Sequence, residues 1–476
     1  MNLKTFFLLL ITVFILSGCQ ARKPYEPQIP ENMPESFSGA HHSGNIEPGQ
    51  WWEKFNDPVL NRLMQKTFDR NLDIRQAFAR VEQMRAAARM TGAARFPQAD
   101  LESSGGRERS SGIMGPVVQK RFNLSASASF ELDVWKKLKL AHDSAEMELL
   151  ASRQDLRALY LTLSAGLAEN YYLALEQKSQ VDLARKNIET YQQILELAEL
   201  KYSQGMVSSL DVYQTRQNLA AARSRLPAYQ AGAAQALNRI SIITGQFPDN
   251  RALSSESGLP EIPRKIYAGL PSDLLKNRPD LQAALLRLKS SDLEVGQAVA
   301  DRFPSFRLAG TYGGASQELS NILDSPNIFW NILLQIAQPL LDGGRRAARV
   351  DARKAVFRQN LASYYQSVLE ACAEVEDALT LIQKKHRAVE HIKAGTESAS
   401  RGFELSMRNY AQGLTDLVRV FEAQRGVYDS QGSLLSSRME LVSAYIQLMR
   451  ALGGEWMDGH MEDYADADNQ QTDREW

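Results

Sequence analysis

Phe122-Asn-Leu-Ser-Ala-Ser-Ala-Ser-Phe-Glu-Leu132 alternates without a break. In an extended chain, Phe122, Leu124, Ala126, Ala128, Phe130 and Leu132 share one side, and Asn123, Ser125, Ser127, Ser129 and Glu131 the other. About eleven such residues are enough for a tilted strand to cross a bilayer. A soluble hairpin covering a helix is the competing reading, but a core strand seldom devotes one face to small polar residues. The preceding segment, Gln98 to Arg107, alternates weakly, with Asp100 and Glu102 on its polar side, and reads as the partner strand.

Two more strand candidates lie farther on, because the chain repeats itself. Tyr202-Ser-Gln-Gly205 recurs 208 positions later as Tyr410-Ala-Gln-Gly413, and Gly245 meets Gly453 at the same offset. Arg95-Phe-Pro97 meets Arg302-Phe-Pro304, and Asp73 meets Asp280, at 207. The strand pair therefore has its counterpart in Ser305–Ser316 and Phe329–Gln338. In the latter, Trp330, Ile332, Leu334 and Ile336 face one way, Asn331, Gln335 and Ala337 the other, and Leu333 breaks the polar side. Phe122, Phe130, Tyr312 and Trp330 suit aromatic girdles at strand ends.

Each strand pair leads into a long helical stretch. Between Lys136 and Tyr202 there is no proline and one glycine, Gly166. Apolar residues such as Leu156, Leu163, Leu167, Ala174, Val181, Ala184, Ile188, Tyr191, Leu195 and Ala198 recur near heptad spacing. The second copy, Arg345 to Tyr410, repeats this with Val368, Cys372, Val375, Leu379, Ile382 and Val389. At 1.5 Å per residue such a helix reaches roughly 100 Å, so it must pair along its length. Glycine turns at Gly205 and Gly413 reverse the chain into returning helices, the first expected to kink at Pro227. Ahead of the strands, Asp57 is placed to cap a short helix with Pro58 at its first position, and a second helix spans Asn71 to Phe96 before Pro97.

The N-terminus carries an apolar run, Phe6 to Leu16, preceded by Lys4, too short to span a bilayer. It runs into Leu16-Ser-Gly-Cys19, which resembles the lipobox of bacterial lipoproteins and implies cleavage before Cys19 and its acylation. Gln20 follows in place of the aspartate associated with inner-membrane retention, so the implied address is the outer membrane. The expected division is a signal peptide over 1–18, a lipid-anchored tether over 19–56, repeats over 57–245 and 271–453, a linker over 246–270, and an acidic disordered tail over 454–476. Cys372 is expected to be a small apolar helix residue. The formal net charge is −1, so no field recruits nucleic acid.

Four strands per chain decide the assembly. Lipid satisfies no backbone hydrogen bonds, so membrane strands must close into a barrel, and the smallest barrels need about eight. Several copies must share one barrel, continued by a tube of coiled helices. The fold class is mainly α with a membrane β-barrel.

These features resemble the TolC-like outer membrane efflux family, in its lipoprotein branch. The resemblance rests on Trp51-Trp-Glu-Lys-Phe55 with Asp57-Pro58 and Leu60, and on Leu270-Pro-Ser-Asp-Leu-Leu with Arg278-Pro-Asp280. It rests also on Phe303-Pro304, Leu340-Leu-Asp-Gly-Gly-Arg345, and Tyr202-x-x-Gly205 with Leu210-Asp-Val212. Leu285 departs from the branch's usual glutamate, and Val418-Arg-Val-Phe-Glu422 from its Leu-x-Val-Leu-Asp pattern. The resemblance implies a homotrimer with a twelve-stranded barrel, a periplasmic helical barrel and an equatorial belt. It also implies passive export of small toxic compounds, driven by an inner-membrane transporter, RND type, through a periplasmic adaptor.

Two sites follow. Tyr202, Gly205, Tyr410 and Gly413 are expected to form the tip facing the adaptor. Asp416, Arg419 and Glu422, three apart on one helix face, would stack as charged rings in a trimer and form an aperture gate. Arg419 departs from the acidic residues that the family's closed tip implies. No phosphate loop or nucleophile elbow is present, and His386 and His391 are five apart rather than the four of a helix-borne metal pair. No catalysis, cofactor or metal is expected. The alternatives are the exit duct of a type I protein-secretion system and a structural coiled-coil envelope lipoprotein.

Overall fold

Asp57 starts the first helix by accepting hydrogen bonds from the backbone N–H of Val59 (2.9 Å) and Leu60 (3.2 Å), with Pro58 at the first helical position. The computed structural model describes residues 25, 33–37, 50–112, 115–248, 258–454 and 456–457. The signal-peptide and lipidation site readings, Cys19 included, and the tail beyond residue 457 lie outside these.

Described in chain order are α1 (Pro58–Arg70), α2 (Leu72–Ala93), β1 (Gln98–Gly112), β2 (Gly115–Leu132), α3 (Lys137–Ser203) and α4 (Ser209–Ile243). The second half supplies α5 (Pro279–Ala300), β3 (Ser305–Ser316), β4 (Ile328–Ala337), α6 (Arg345–Ala411) and α7 (Leu417–Leu452). The sequence offset reappears in the elements: α2 and α5 have 22 residues each, and α3 and α6 have 67 each. The exception is α1, whose counterpart is only a 3-10 turn, Pro271–Asp273, and one helical turn, Leu274–Asn277. Pro227 lies inside α4, which runs on through it.

The chain forms two compact units, and each draws on both halves of the repeat. The first holds residues 79–154 and 282–366 and contains the sheet, antiparallel in the order β1-β2-β3-β4. The central pairing, β2 with β3, joins one half of the sequence to the other. The segment following β2 is pinned by Trp135, which donates to the Pro304 carbonyl (2.8 Å) and stacks on Phe303 (4.9 Å between centroids). In the same unit Tyr25, inside the expected tether, donates its N–H to Asp292 (3.1 Å) and packs edge-on against Phe357. Tyr25 is therefore held against that unit.

The second unit comprises residues 32–78, 155–281 and 367–476. Its aromatic core explains the Trp51-Trp52 opening. Trp52 meets Phe68 and Trp456, Phe55 meets Tyr172 and Tyr445, and the Tyr171 hydroxyl donates to Asp57 at 2.7 Å. Trp456, two residues into the expected tail, is thus a packed residue. Along α3 the buried residues Gln180, Ala184, Asn187, Tyr191, Ile194 and Ala198 alternate steps of four and three, a coiled-coil seam. Part of that seam is polar. Gln424 donates to Asn187 (2.7 Å), Gln180 to the Gly432 carbonyl (3.1 Å), Ser436 to Glu176 (3.3 Å) and Ser443 to Glu169 (2.6 Å). Residue numbers fall on α7 as they rise on α3, so these bonds fix one antiparallel register. A slip would leave the buried amides unpaired, which costs about 1–3 kcal/mol each.

The described end of the expected linker, from residue 258, also packs. Ile262, Ile266 and Ala268 are buried, Arg438 donates to the Leu259 carbonyl (3.4 Å), and Arg264 pairs with Glu390. Cys372 is a free, half-buried helix residue whose thiol is pushed up by burial. Among the described residues, no helix is long and apolar enough to cross a membrane.

Candidate functional site

The wall of any passage begins with the sheet, where register sorts the side chains by chemistry. Leu101 lies opposite Ala126, which lies opposite Tyr312, which lies opposite Trp330. The next rows on that face are Ala99, Ala128, Gly310 and Ile332, then Phe130, Leu308 and Leu334, then Leu132, Phe306 and Ile336. This face is apolar and yet open: Trp330 is 70% exposed and Ile332 71%. The opposite face carries Asp100, Ser127, Thr311 and Asn331 in one row, and Glu131, Arg307 and Gln335 in another. An exposed apolar face of this extent demands a nonaqueous neighbour. Period two places the polar groups on the other side.

The strands are longer than their alternation suggested. β1 continues past Arg107 to Gly112, and β2 begins at Gly115. Phe122, expected at a strand end, instead marks the last β2 residue that pairs with β3.

The tip lies in the second unit. Gly205 and Gly413 adopt φ of 71° and 76°, and each N–H donates to the Tyr carbonyl three residues back, Tyr202 (3.0 Å) and Tyr410 (3.1 Å). The reversal is thus the same in both copies, and glycine carries it because no Cβ opposes positive φ. Helix starts follow at equivalent positions: Ser208 and Asp211 form a capping box, and Asp416 accepts from the Arg419 N–H at 3.0 Å.

The two tyrosines are not equivalent. Tyr202 is 50% exposed, whereas Tyr410 is 3% exposed within a cluster of Tyr191, Ile194, Leu219, Leu417 and Phe421. Burial raises its phenol, and the Asp211 carboxylate adds to the shift. Lys201 sits over this tyrosine: its ammonium donates to the Tyr410 carbonyl (2.6 Å) and lies 4.2 Å from the ring centroid. Asn409 stands at the corresponding place in the second copy and is too short to do the same for Tyr202. Tyr410 is therefore corrected from a surface contact to a packing residue. Beside Gly205 and Gly413, Met206 and Leu414 lie open within the segments expected at the tip, and the pattern missed the equally open Leu210 and Tyr213 just past them.

Asp416, Arg419 and Glu422 are all exposed. Asp416 also serves as the cap of α7, accepting from the Arg419 N–H. Arg419 and Glu422 form no side-chain ion pair among the described residues. No group of three or more metal-ligating side chains forms among those residues either.

The chain matches the outer membrane efflux protein family over residues 63–246 and 270–454. It is 28% identical to the toluene efflux pump outer membrane protein TtgF of Pseudomonas putida, covering 95% of this chain and 98% of that protein. It is also 28% identical to the probable outer membrane lipoprotein SilC of Salmonella typhimurium, over 94% and 98%. The outer-membrane channel OprN superposes with a TM-score of 0.84 at 28% identity, over 91% of this chain and 99% of that one. The chain belongs to the outer membrane efflux protein family and is an outer membrane protein.

Proposed function

We propose that three copies of this chain join their sheets, β4 of one to β1 of the next, into a twelve-stranded barrel that opens the outer membrane. One observation carries this reading. The sheet has two edge strands, β1 and β4, and two unlike faces, one apolar and exposed and one polar. Lipid tolerates no unpaired edge, and closure turns the apolar face to lipid and the polar face to water.

The helical hairpins would line a periplasmic duct. Its tip, at Gly205 and Gly413 with Tyr202, would meet a periplasmic adaptor that couples it to an inner-membrane transporter of RND type. Acylated Cys19 would anchor each copy to the outer membrane. The cargo class is small toxic compounds, supported by relatives named for toluene efflux and by wholesale similarity along the chain. Energy comes from the partner transporter; this chain supplies a passive exit.

Mass in detergent, current across a planar lipid film and the drug and solvent susceptibility of a deletion strain test the reading together. A stable trimer that conducts, and a deletion that sensitises cells, are expected. A monomer, or an assembly that passes no current, overturns it. A conducting trimer whose loss spares susceptibility but stops export of a protein would favour the secretion duct.

A further inference from the structure

The β1–β2 hairpin outreaches the rest of the sheet. β3 pairs with β2 only from Phe122 to Leu132, while β1 and β2 stay paired on to Gly112 and Gly115. The seven β2 residues 115–121 therefore project with their partners by about 24 Å at roughly 3.4 Å per residue. They project at the end of the sheet away from the strand ends that connect to α2, α3, α5 and α6.

Register gives the projecting part a charge on one side. Arg107 lies opposite Lys120 and Arg109 opposite Val118, and these rows continue the face of Leu101, Ala126 and Phe122. Glu108, opposite Gln119, and Arg121, opposite Gly106, lie on the polar face. The apolar face thus becomes cationic in the row after Phe122. Arg107, Arg109 and Lys120 are exposed and make no side-chain ion pair among the described residues. The β3–β4 connection adds Glu318 and Asp324, and the Glu318 carboxylate accepts from the Asn321 amide at 3.4 Å.

The change of chemistry falls at a definite height. From Leu132 to Phe122 the strand advances about 34 Å at roughly 3.4 Å per residue. Tilted by about 40°, it rises about 25 Å, the height of the apolar band of a membrane barrel. Arg107 and Lys120 then stand where hydrocarbon gives way to headgroups. Cations are costly inside that band and tolerated at its edge. The outer leaflet of a Gram-negative outer membrane is built of glycolipid whose headgroups carry phosphate.

We propose that Arg107, Arg109 and Lys120 form a binding surface for the phosphorylated headgroups of that outer-leaflet glycolipid. The inference rests on the barrel reading above, because only an inserted barrel presents this row to lipid. Guanidinium groups give paired hydrogen bonds to phosphate oxygens, and Lys120 adds a point charge. Each copy contributes one such cluster, since the second hairpin has no equivalent extension.

The test measures retention of diphosphoryl lipid A and of its dephosphorylated form by the purified trimer in neutral detergent, at about 0.1 M and about 1 M salt. Preferential retention of the phosphorylated lipid, weakened by salt, is expected. The combined R107S, R109S and K120S variant should bind it on the order of a hundredfold more weakly, roughly fivefold per cation. R121S, on the other face, should bind it as the unaltered chain does. Equal retention of both lipids by the unaltered chain, or unchanged binding by the triple variant, overturns the proposal. If the triple variant fails to assemble, the comparison of the two lipids on the unaltered chain decides. A trimer that conducts but shows no phosphate preference defeats this inference alone, whereas absence of current defeats the barrel reading.

Discussion

Asn71 and Arg278 occupy corresponding places in the two halves, 207 positions apart, and each donates to the last turn of a returning helix. The Asn71 amide donates to the Ile243 carbonyl at 2.8 Å, and the Arg278 guanidinium to the Ala451 carbonyl at 3.3 Å. Different side chains thus complete the same joint. Asn71 also caps α2, accepting from the N–H of Asp73 and Ile74, while Arg278 pairs with Asp280 and Glu374, both at 2.6 Å. We predict that Asn71→Ala costs about 1–2 kcal/mol through the lost cap. Arg278→Ala should cost about 1–2 kcal/mol, because a buried guanidinium is lost from between two half-exposed, solvent-screened carboxylates. Thermal melting of the detergent-solubilised protein measures both; unchanged midpoints would refute the joint.

The same network makes stability depend on pH. Burial alone would raise the Asp280 carboxyl, but the Arg278 hydrogen bonds and charge outweigh it and hold it below its ordinary 3.8. A carboxyl lowered on folding stabilises the protein above its unfolded value, and that contribution is lost as pH falls through the folded value. Acid melts should therefore drop below about pH 4, and Asp280→Asn should flatten that drop. A variant with the original slope would show that another group governs it.

Gly245 and Gly453 press the same joint from the other side. A Cβ at Gly245 would run into the Arg70 carbonyl oxygen, and one at Gly453 into that of Asn277. Both residues also hold positive φ, 68° and 76°. Alanine at either should cost about 3 kcal/mol, whereas alanine at Gly205, which faces open space, should cost only about 1 kcal/mol of strain. Comparable losses at all three would mean that conformation alone, not backbone approach, requires glycine.

At the tip, Met206→Asp with Leu414→Asp should abolish adaptor pull-down and export while leaving trimer assembly and conductance intact. Bulky replacements of Gly205 and Gly413 should do likewise if those glycines serve docking as well as turning. Normal pull-down with either set moves the adaptor contact elsewhere.

For the aperture, Arg419→Ala combined with Glu422→Ala should raise single-channel conductance by removing two charged rings. Asp416→Ala should act differently, costing about 1 kcal/mol of helix stability through its cap, and Asp416→Asn should retain most of that. Unchanged conductance in the double variant removes the gate.

Much of this was legible locally. The alternation of Phe122 to Leu132, the cap at Asp57-Pro58, the glycine turns and the 208-residue repeat are all short-range signals, set by a side-chain period or by one residue's φ. The sequence by itself therefore determined where the strands and helices lie, how long the long helices run, and that β2 and β4 each have an apolar face. It could not decide between residues that its own repeat makes identical. Tyr202 and Tyr410 share a motif, yet Lys201 covers only one of them. Asn71 and Arg278 share a task, yet nothing in their chemistry announces it. Register between β2 and β3, which ends at Phe122, and the contact of Trp52 with Trp456 depend on segments far apart in the chain. Such pairings are chosen by packing and hydrogen bonding across the whole fold, so only the tertiary structure decided them.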